Sequence, residues 1–154
     1  MATTRRRTRA YSVRNSRVHG KGGFALRTIR KGEVIGEYIG ERIDDDEADR
    51  RYPEDGDEPH HTFLFALEDG SVLDAAVGGN STRFLNHSCD PNCEAIEEEG
   101  HIYIKALRTI RKGEELVYDY NFILDVAHTP AEKRRYPCYC GARKCRGTIL
   151  AKKR

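Results

Sequence analysis

The chain has 154 residues, 38% of them hydrophobic and 34% charged, with a net charge of +2, which bounds it to one domain with a single modest core that a staple or ligand would help to hold. It has neither an apolar run near the roughly 18 residues of a membrane span nor an apolar stretch after MATTRRRTRAY that would make a signal peptide. An intracellular protein, cytoplasmic or chromosome-associated and without a membrane partner, is expected, and five cysteines, an odd number, suit thiols or a metal in a reducing compartment better than a secreted disulfide framework.

The small net charge conceals segregation. Arg5, Arg6, Arg7 and Arg9 make residues 1–10 a basic head, with an expected capacity for nucleic acid contact, and Lys152, Lys153 and Arg154 make a basic tail. After the head, Tyr11 to Val18 can start a strand, and His19-Gly20-Lys21-Gly22-Gly23-Phe24 reads as a turn that breaks it. The glycines there also allow close backbone approach, in neither a dinucleotide nor a phosphate-loop spacing.

Ala25 to Glu33 and Ala106 to Glu114 carry the same nine residues, ALRTIRKGE, 81 positions apart. Each copy leads into a β-rich run, Val34 to Ile39 and Leu116 to Phe122, which predicts two similar strand-turn-strand units turning at Lys-Gly. Asp44 to Tyr52 suits a short helix with acids at the positive end of its dipole and Pro53 as its stop. From Asp44 to Glu58 nine carboxylates face only Arg50 and Arg51, a composition able to attract a basic polypeptide or simply to be solvated.

Thr62 to Leu67, Val72-Leu73 and His101 to Leu107 read as short strands, the last with Ile102, Ile104 and Ala106 on one face. Thr129-Pro130-Ala131-Glu132 is a capping box that starts a helix over Pro130 to Tyr136. The fold class expected is mainly β with short helices, not a doubly wound α/β sheet.

Chemistry concentrates in three stretches. Arg83 to Cys93, RFLNHSCDPNC, gathers two thiols, an imidazole and two carboxamides. His87 and Cys89 could be a metal pair or a nucleophile with its base, and Asn86 and Asn92 could be turn residues around Asp90-Pro91. Cys138, Cys140 and Cys145 are spaced to share one tetrahedral zinc with a fourth ligand from Cys89 or Cys93, or to remain free thiols. Tyr118 and Tyr120 share one face of a strand, with Asp119 opposite. They are either core residues or the polar end of a narrow aromatic channel.

In order, GKGGFA, EYIGE, GNSTRFLNHSCDPNC, GEELVYDYNF and CYCGARKC resemble the SET-domain protein lysine methyltransferases with a post-SET zinc segment, the trithorax type most closely, over roughly Tyr11 to Leu150. The resemblance implies a SET-domain (β-clip) fold of small sheets with a C-terminal pseudoknot, with a core over 11–124 and a linker helix and post-SET segment over 125–154. It implies S-adenosylmethionine as methyl donor, a structural zinc, and a monomer acting on a lysine of a basic, histone-like protein or peptide.

By motif, Lys21, Gly22, Gly23 and Phe24 would line the methionine end of the cofactor. Phe63, Arg83, Phe84, Asn86, His87 and Tyr120 would also contact it, Asn86 and His87 through main-chain bonds to the adenine. Tyr120 would be the catalytic tyrosine, Tyr118 the residue setting how many methyl groups are added, and Tyr38 would join them. Cys89, Cys138, Cys140 and Cys145 would hold zinc, leaving Cys93 free. Phe63 stands where many relatives carry a tyrosine, the link from Asn121 to Pro137 is longer than usual, and no cysteine-rich region precedes the core. Substrate recognition is therefore expected from the acidic loop, the tail or a partner protein. Two other readings compete: a non-catalytic module of the same fold that holds lysine-rich segments, and a zinc-stapled nucleic-acid binder.

Overall fold

The computed structural model describes residues 9–18, 20–53, 63–123 and 126–152. Arg5 to Arg7, His19, the loop from Glu54 to Glu58, Thr62, Lys153 and Arg154 lie outside them. The described chain is built of short strands in two sheets, with two short α-helices among the described residues. None of these helices is long and apolar enough to cross a membrane.

β1 (Tyr11–Asn15) pairs antiparallel with β2 (Lys21–Ala25), Tyr11 opposite Ala25 and Asn15 opposite Lys21. The glycine-rich stretch expected to be a turn is therefore a strand from Lys21 onward. Its glycines serve packing: a Cβ on Gly22 would lie 2.5 Å from Glu115 Oε2, and one on Gly23 would overlap Leu85 Cδ2. β2 lies that close to its neighbours because two side chains are missing.

β3 (Val34–Tyr38), β4 (Glu41–Ile43) and α1 (Asp45–Arg51) follow. Asp44 caps α1 by accepting the Glu47 N–H at 2.7 Å, and three acids fill the first turn, the favourable arrangement for the dipole. β5 (Leu64–Ala66) and β6 (Val72–Asp74) complete a three-stranded sheet ordered β4-β6-β5. A 3-10 turn (Ser81–Phe84) leads to β7 (Asn86–His87), β8 (Cys93–Glu98), β9 (His101–Ala106) and β10 (Glu115–Tyr118). The large sheet runs β1-β2-β10-β8-β9-β3, with β7 alongside β10. α2 (Pro130–Arg135) starts at the Thr129 cap as its capping box predicts.

The two ALRTIRKGE copies embrace each other. Ile29 and Ile110 exchange N–H···O bonds of 2.8 Å in both directions. Gly32 N–H donates to the Ala106 carbonyl, and Gly113 N–H to that of Ala25, both at 2.8 Å. Glu33 and Glu114 carbonyls accept from Ala106 and Ala25 at 3.0 and 2.9 Å. Every bond has a mate under exchange of the copies, so the pair has local two-fold symmetry. Gly32 and Gly113 turn with φ of 85° and 92°, a region open to glycine without a Cβ penalty. Ile29 and Ile110 are fully buried in the core cluster with Leu85, Cys93, Ile104 and Leu116.

Ile29→Ala and Ile110→Ala should each lower the unfolding free energy by about 2–5 kcal/mol, measured by urea denaturation. Because the two residues are bridged, the double substitution should depart from additivity by more than about 0.5 kcal/mol; strict additivity would contradict a shared packing unit.

Candidate active site

The site grows from the crossing of residues 86–93 with β10. β10 runs parallel to β7, Val117 opposite Asn86 and Tyr118 opposite His87, and meets β8 at Cys93. Ser88 and Asn92 N–H groups donate to the Tyr118 and Val117 carbonyls, both at 3.2 Å. The Asn92 side chain, 3% exposed, donates to the Glu115 carbonyl at 2.8 Å and accepts from Val117 N–H at 2.9 Å. It is thus a structural residue of the crossing rather than a loop turn.

The side chains of Asn86 and His87 turn into the protein. Asn86 Nδ2 reaches the Lys21 carbonyl at 2.9 Å and Glu115 Oε2 at 3.0 Å, and Ser16 holds the same carboxylate at 2.8 Å. His87 Nδ1 lies 3.1 Å from the Tyr120 N–H, which can only donate. Nδ1 is therefore the acceptor, and Nε2 carries the proton toward Cys89 Sγ, 3.4 Å away. Asp119 Oδ1 lies 3.6 Å from Nδ1, but the occupied lone pair and burial keep the ring neutral, its pKa pushed down to about 4 with burial as the main cause. A nucleophile-base pairing of His87 and Cys89 is excluded, because this tautomer has no lone pair facing the sulfur.

β10 ends at Tyr118, so Tyr120 lies beyond the strand, yet its ring stays on Tyr118's side with centroids 4.9 Å apart. Tyr120 also meets His87 edge-on at 5.3 Å and donates its hydroxyl to the Leu85 carbonyl at 2.6 Å. Tyr38 donates to the Phe63 carbonyl at 2.6 Å and packs on Phe65. All three phenols are raised, by burial first, and for Tyr118 next by the nearby Tyr120 and Tyr38 oxygens. The three stay protonated and polar at the end of an aromatic lining that continues through Phe63 and Phe84, whose rings meet edge-on at 5.8 Å.

Arg83 lies over Phe84 at 4.7 Å and Phe63 at 5.6 Å. Its Nε is buried without a hydrogen-bond partner, a donor that suits an acceptor such as the carboxylate of an amino-acid moiety. Phe24, on β2, carries the Arg14 guanidinium 4.8 Å above its ring, and Lys21 is exposed at the strand's start. The Asn86 and His87 side chains are thus engaged inward, toward Lys21, Glu115 and Tyr120.

Cys89, Cys138, Cys140 and Cys145 bring their sulfurs within 4.8 Å of one another, with Cys89 and Cys138 at 3.8 Å. Zn–S bonds of about 2.3 Å in a tetrahedron put the sulfurs about 3.8 Å apart, so the donor set fits zinc. Backbone N–H groups of Arg146, Cys140 and Gly147 point at Cys89, Cys138 and Cys145 at 3.2 to 3.4 Å, as suits thiolate ligands. Cys93 is apart, fully buried, its thiol donating to Asn92 Oδ1 and pushed up to about 12 by burial.

Sequence reasoning missed Asp119 and Arg146. Arg146 binds Asp119 through two nitrogens at 2.8 and 3.1 Å, clamping the cysteine-bearing tail to the residue between the two tyrosines. A spacing of 27 positions gives no periodic signal for such a pair. Also missed was Asp74, fully buried and held by Arg51 at 3.0 Å, Tyr52 at 3.1 Å and the Ala76 N–H at 3.0 Å.

A strand-built domain whose tail is tied across a knot-like crossing is the architecture of one class. The SET-domain family profile matches residues 20–121, and the chain belongs to that family. It is 40% identical over 141 residues to histone-lysine N-methyltransferase 2B of Homo sapiens, covering 89% of this chain and 5% of that protein. It is 42% identical over 141 residues to histone-lysine N-methyltransferase, H3 lysine-4 specific, of Schizosaccharomyces pombe, covering 87% of this chain and 14% of that protein. Among solved structures, ctPRC2 in an autoinhibited conformation bound to S-adenosylmethionine matches with a TM-score of 0.64 and 36% identity, over 73% of this chain and 15% of that one. The chain thus spans a small part of each of these much longer proteins.

Arg146→Ala should speed amide exchange of Tyr136 to Leu150 by roughly 10- to 100-fold, the loss of a charged hydrogen-bond pair worth about 1.5–3 kcal/mol, with β9 amides unchanged. Tail exchange as slow in the variant as in the native chain would show that the clamp does not hold the tail.

Proposed function

We propose that the chain is an S-adenosylmethionine-dependent protein-lysine N-methyltransferase acting on a lysine of a basic, histone-like protein. The observation that carries the reading is the convergence of Tyr38, Tyr118 and Tyr120 at the end of an aromatic lining, beside the crossing that also bears Asn86 and His87. The family relationship supports it, as do the names of the relatives. Residues 11–124 act as the catalytic core and 125–154 as the linker helix and post-SET segment, with zinc held by Cys89, Cys138, Cys140 and Cys145. The protein works as a monomer on a chromosome-associated substrate.

When bound, S-adenosylmethionine supplies the methyl group and a sulfonium charge beside the channel. Lys21, Gly22, Gly23, Phe24, Phe63, Arg83 and Phe84 would hold it, Arg83 Nε offering a buried donor suited to a carboxylate and the Asn86 and His87 main chain offering polar groups suited to an adenine. A lysine near its ordinary pKa costs about 4.6 kcal/mol to deprotonate at pH 7. The aromatic lining removes water from the amine, and a neighbouring positive charge disfavours the ammonium, so both lower that cost. Tyr120 donates its proton to the Leu85 carbonyl, leaving its oxygen lone pairs to orient the amine. Kept neutral by burial, it positions rather than abstracts. Tyr118 places a second hydroxyl at the channel base, which limits the room for an amine already methylated. Mono- or dimethylation follows.

Incubation with labelled S-adenosylmethionine and a panel of histones and other DNA-associated proteins should transfer label to protein, and Tyr120→Phe should reduce the rate by roughly 100-fold or more. Cofactor binding by calorimetry with no transfer to any protein would favour a binding module and overturn the reading. Mass spectrometry of the product should show mono- and dimethyl-lysine from the native protein and a shift to higher order from Tyr118→Phe; abundant trimethyl-lysine from the native protein would remove Tyr118 from that role.

A further inference from the structure

The ALRTIRKGE copies have a second face. Ile29 and Ile110 point into the core from their shared bridge, so their neighbours Thr28, Arg30, Thr109 and Arg111 stand on the opposite side, and all four are exposed. Lys31 and Lys112, also exposed, extend the row at each turn. Arg30 and Arg111 lie diagonally across the bridge, about 8 Å apart at Cα by strand geometry. None of the residues of the tyrosine site or of the cysteine cluster belongs to this face.

The charge on it is not cancelled within the copies. Each holds three cations and one anion, a net of +2, so the pair carries +4. The anions are already engaged: Glu33 binds Arg27 at 2.7 Å, and Glu114 binds Arg108 at 3.2 Å. Arg27 and Arg108 also close on the Thr28 and Thr109 carbonyls at 3.1 and 3.0 Å. In the motif itself this leaves two guanidinium groups, two ammonium groups and two hydroxyls facing outward, a set that recognises phosphate oxygens and carries no base-reading chemistry. Beside the first copy opens a groove of about 840 Å³ lined by Arg9 and by the mutually paired Arg27 and Glu33, so Arg9 adds one further positive charge next to the turns.

We propose that this two-fold face docks on the phosphate backbone of duplex nucleic acid. The symmetry argues for a duplex, since its two antiparallel backbones are themselves related by dyads and matching two-folds let both copies make the same contacts. Each strand carries one charge per about 3.4 Å of axis, so four long cationic arms span neighbouring phosphates without distortion of the turns.

The test uses the full chain, a fluorescein-labelled 20-base-pair mixed-sequence DNA duplex, and anisotropy between 50 and 200 mM KCl. Arg30→Gln/Lys31→Gln/Arg111→Gln/Lys112→Gln should reduce the magnitude of the slope of log K against log [salt] by about 3 to 4, near 0.9 for each of the four phosphates no longer neutralised. An unchanged thermal midpoint shows that the turns still fold. Arg5→Gln/Arg6→Gln/Arg7→Gln, which neutralises the head alone, should retain the part of the slope that the turns supply. Equal slopes for the native and turn-neutralised chains, or loss of all binding on changing the head alone, would overturn the proposal. Labelled polyglutamate bound as tightly as DNA would also overturn it, because the face would then select any polyanion.

Discussion

Asn92 occupies the point at which the chain passes over itself, and every hydrogen-bonding group it has is used there. Its amide donates to the Glu115 carbonyl and its oxygen accepts from Val117 N–H, while its main chain bonds Val117 and Leu107. The carboxamide thus substitutes for a missing strand partner along β10, which otherwise would leave buried peptide groups unpaired at a cost of about 1–3 kcal/mol each. Only a side chain with donor and acceptor on one planar group fits both needs, which is why the position is not interchangeable with an acid or an aliphatic residue. Once β10 is fixed here, Tyr118 and Tyr120 have nowhere else to project, His87 meets the Tyr120 N–H, and Cys89 is left facing the tail. The tyrosines and the cysteine cluster are therefore consequences of one crossing, linked by the neutral imidazole of His87 on one side and by Asp119 with Arg146 on the other.

The reciprocal ALRTIRKGE pair supplies the platform for that crossing. One copy follows β2 and the other precedes β10, so the bonds exchanged between Ala25, Gly32, Ala106 and Gly113 hold the two strands side by side. Glu115 then reaches Ser16 and Asn86, and the two glycines of β2 let it approach. Local backbone symmetry and a long-range side-chain network thereby set the same distance from two directions.

How much of this is legible in the sequence depends on whether a signal is local. β9 is legible because Ile102, Ile104 and Ala106 alternate, and α2 because its capping box is complete within four residues. β8 is not, since Glu94, Glu97 and Glu98 hide a strand that exists because β9 and β10 pair with it. β4, with Glu41 and Arg42 in three residues, and β7, only two residues long, are hidden for the same reason. The glycines of β2 pass for a turn because what they make room for, Glu115 and Leu85, is 62 or more positions away. The resemblance supplies the candidate site residues, and the cysteines named from it do gather in space. It says nothing of Asp119, Arg146 or Asp74, whose partners are fixed by tertiary contact. The acidic stretch reads only as a solvated loop or a lure for cations, whereas Arg51 within it reaches Glu41, Glu47 and Asp74 and ties α1 to the second sheet.

The disposition of the acids and bases also constrains which chemistry the crossing can perform. His87 has both nitrogens committed and is neutral; Asp119 is held by Arg146; Glu115 accepts from Ser16 and Asn86. The three phenols are held protonated by burial. Among the described residues at the crossing there is thus no group free to act as a strong base, and no thiol activated by an imidazole. A hydrolysis that had to deprotonate water, or an acyl transfer through cysteine, would find no partner here. A reaction whose nucleophile sheds its proton before attack, because its surroundings disfavour the charged form, asks only for orientation and exclusion of water. An amine entering the aromatic lining meets that condition through loss of its water, with the committed acids, bases and phenols left to orient it.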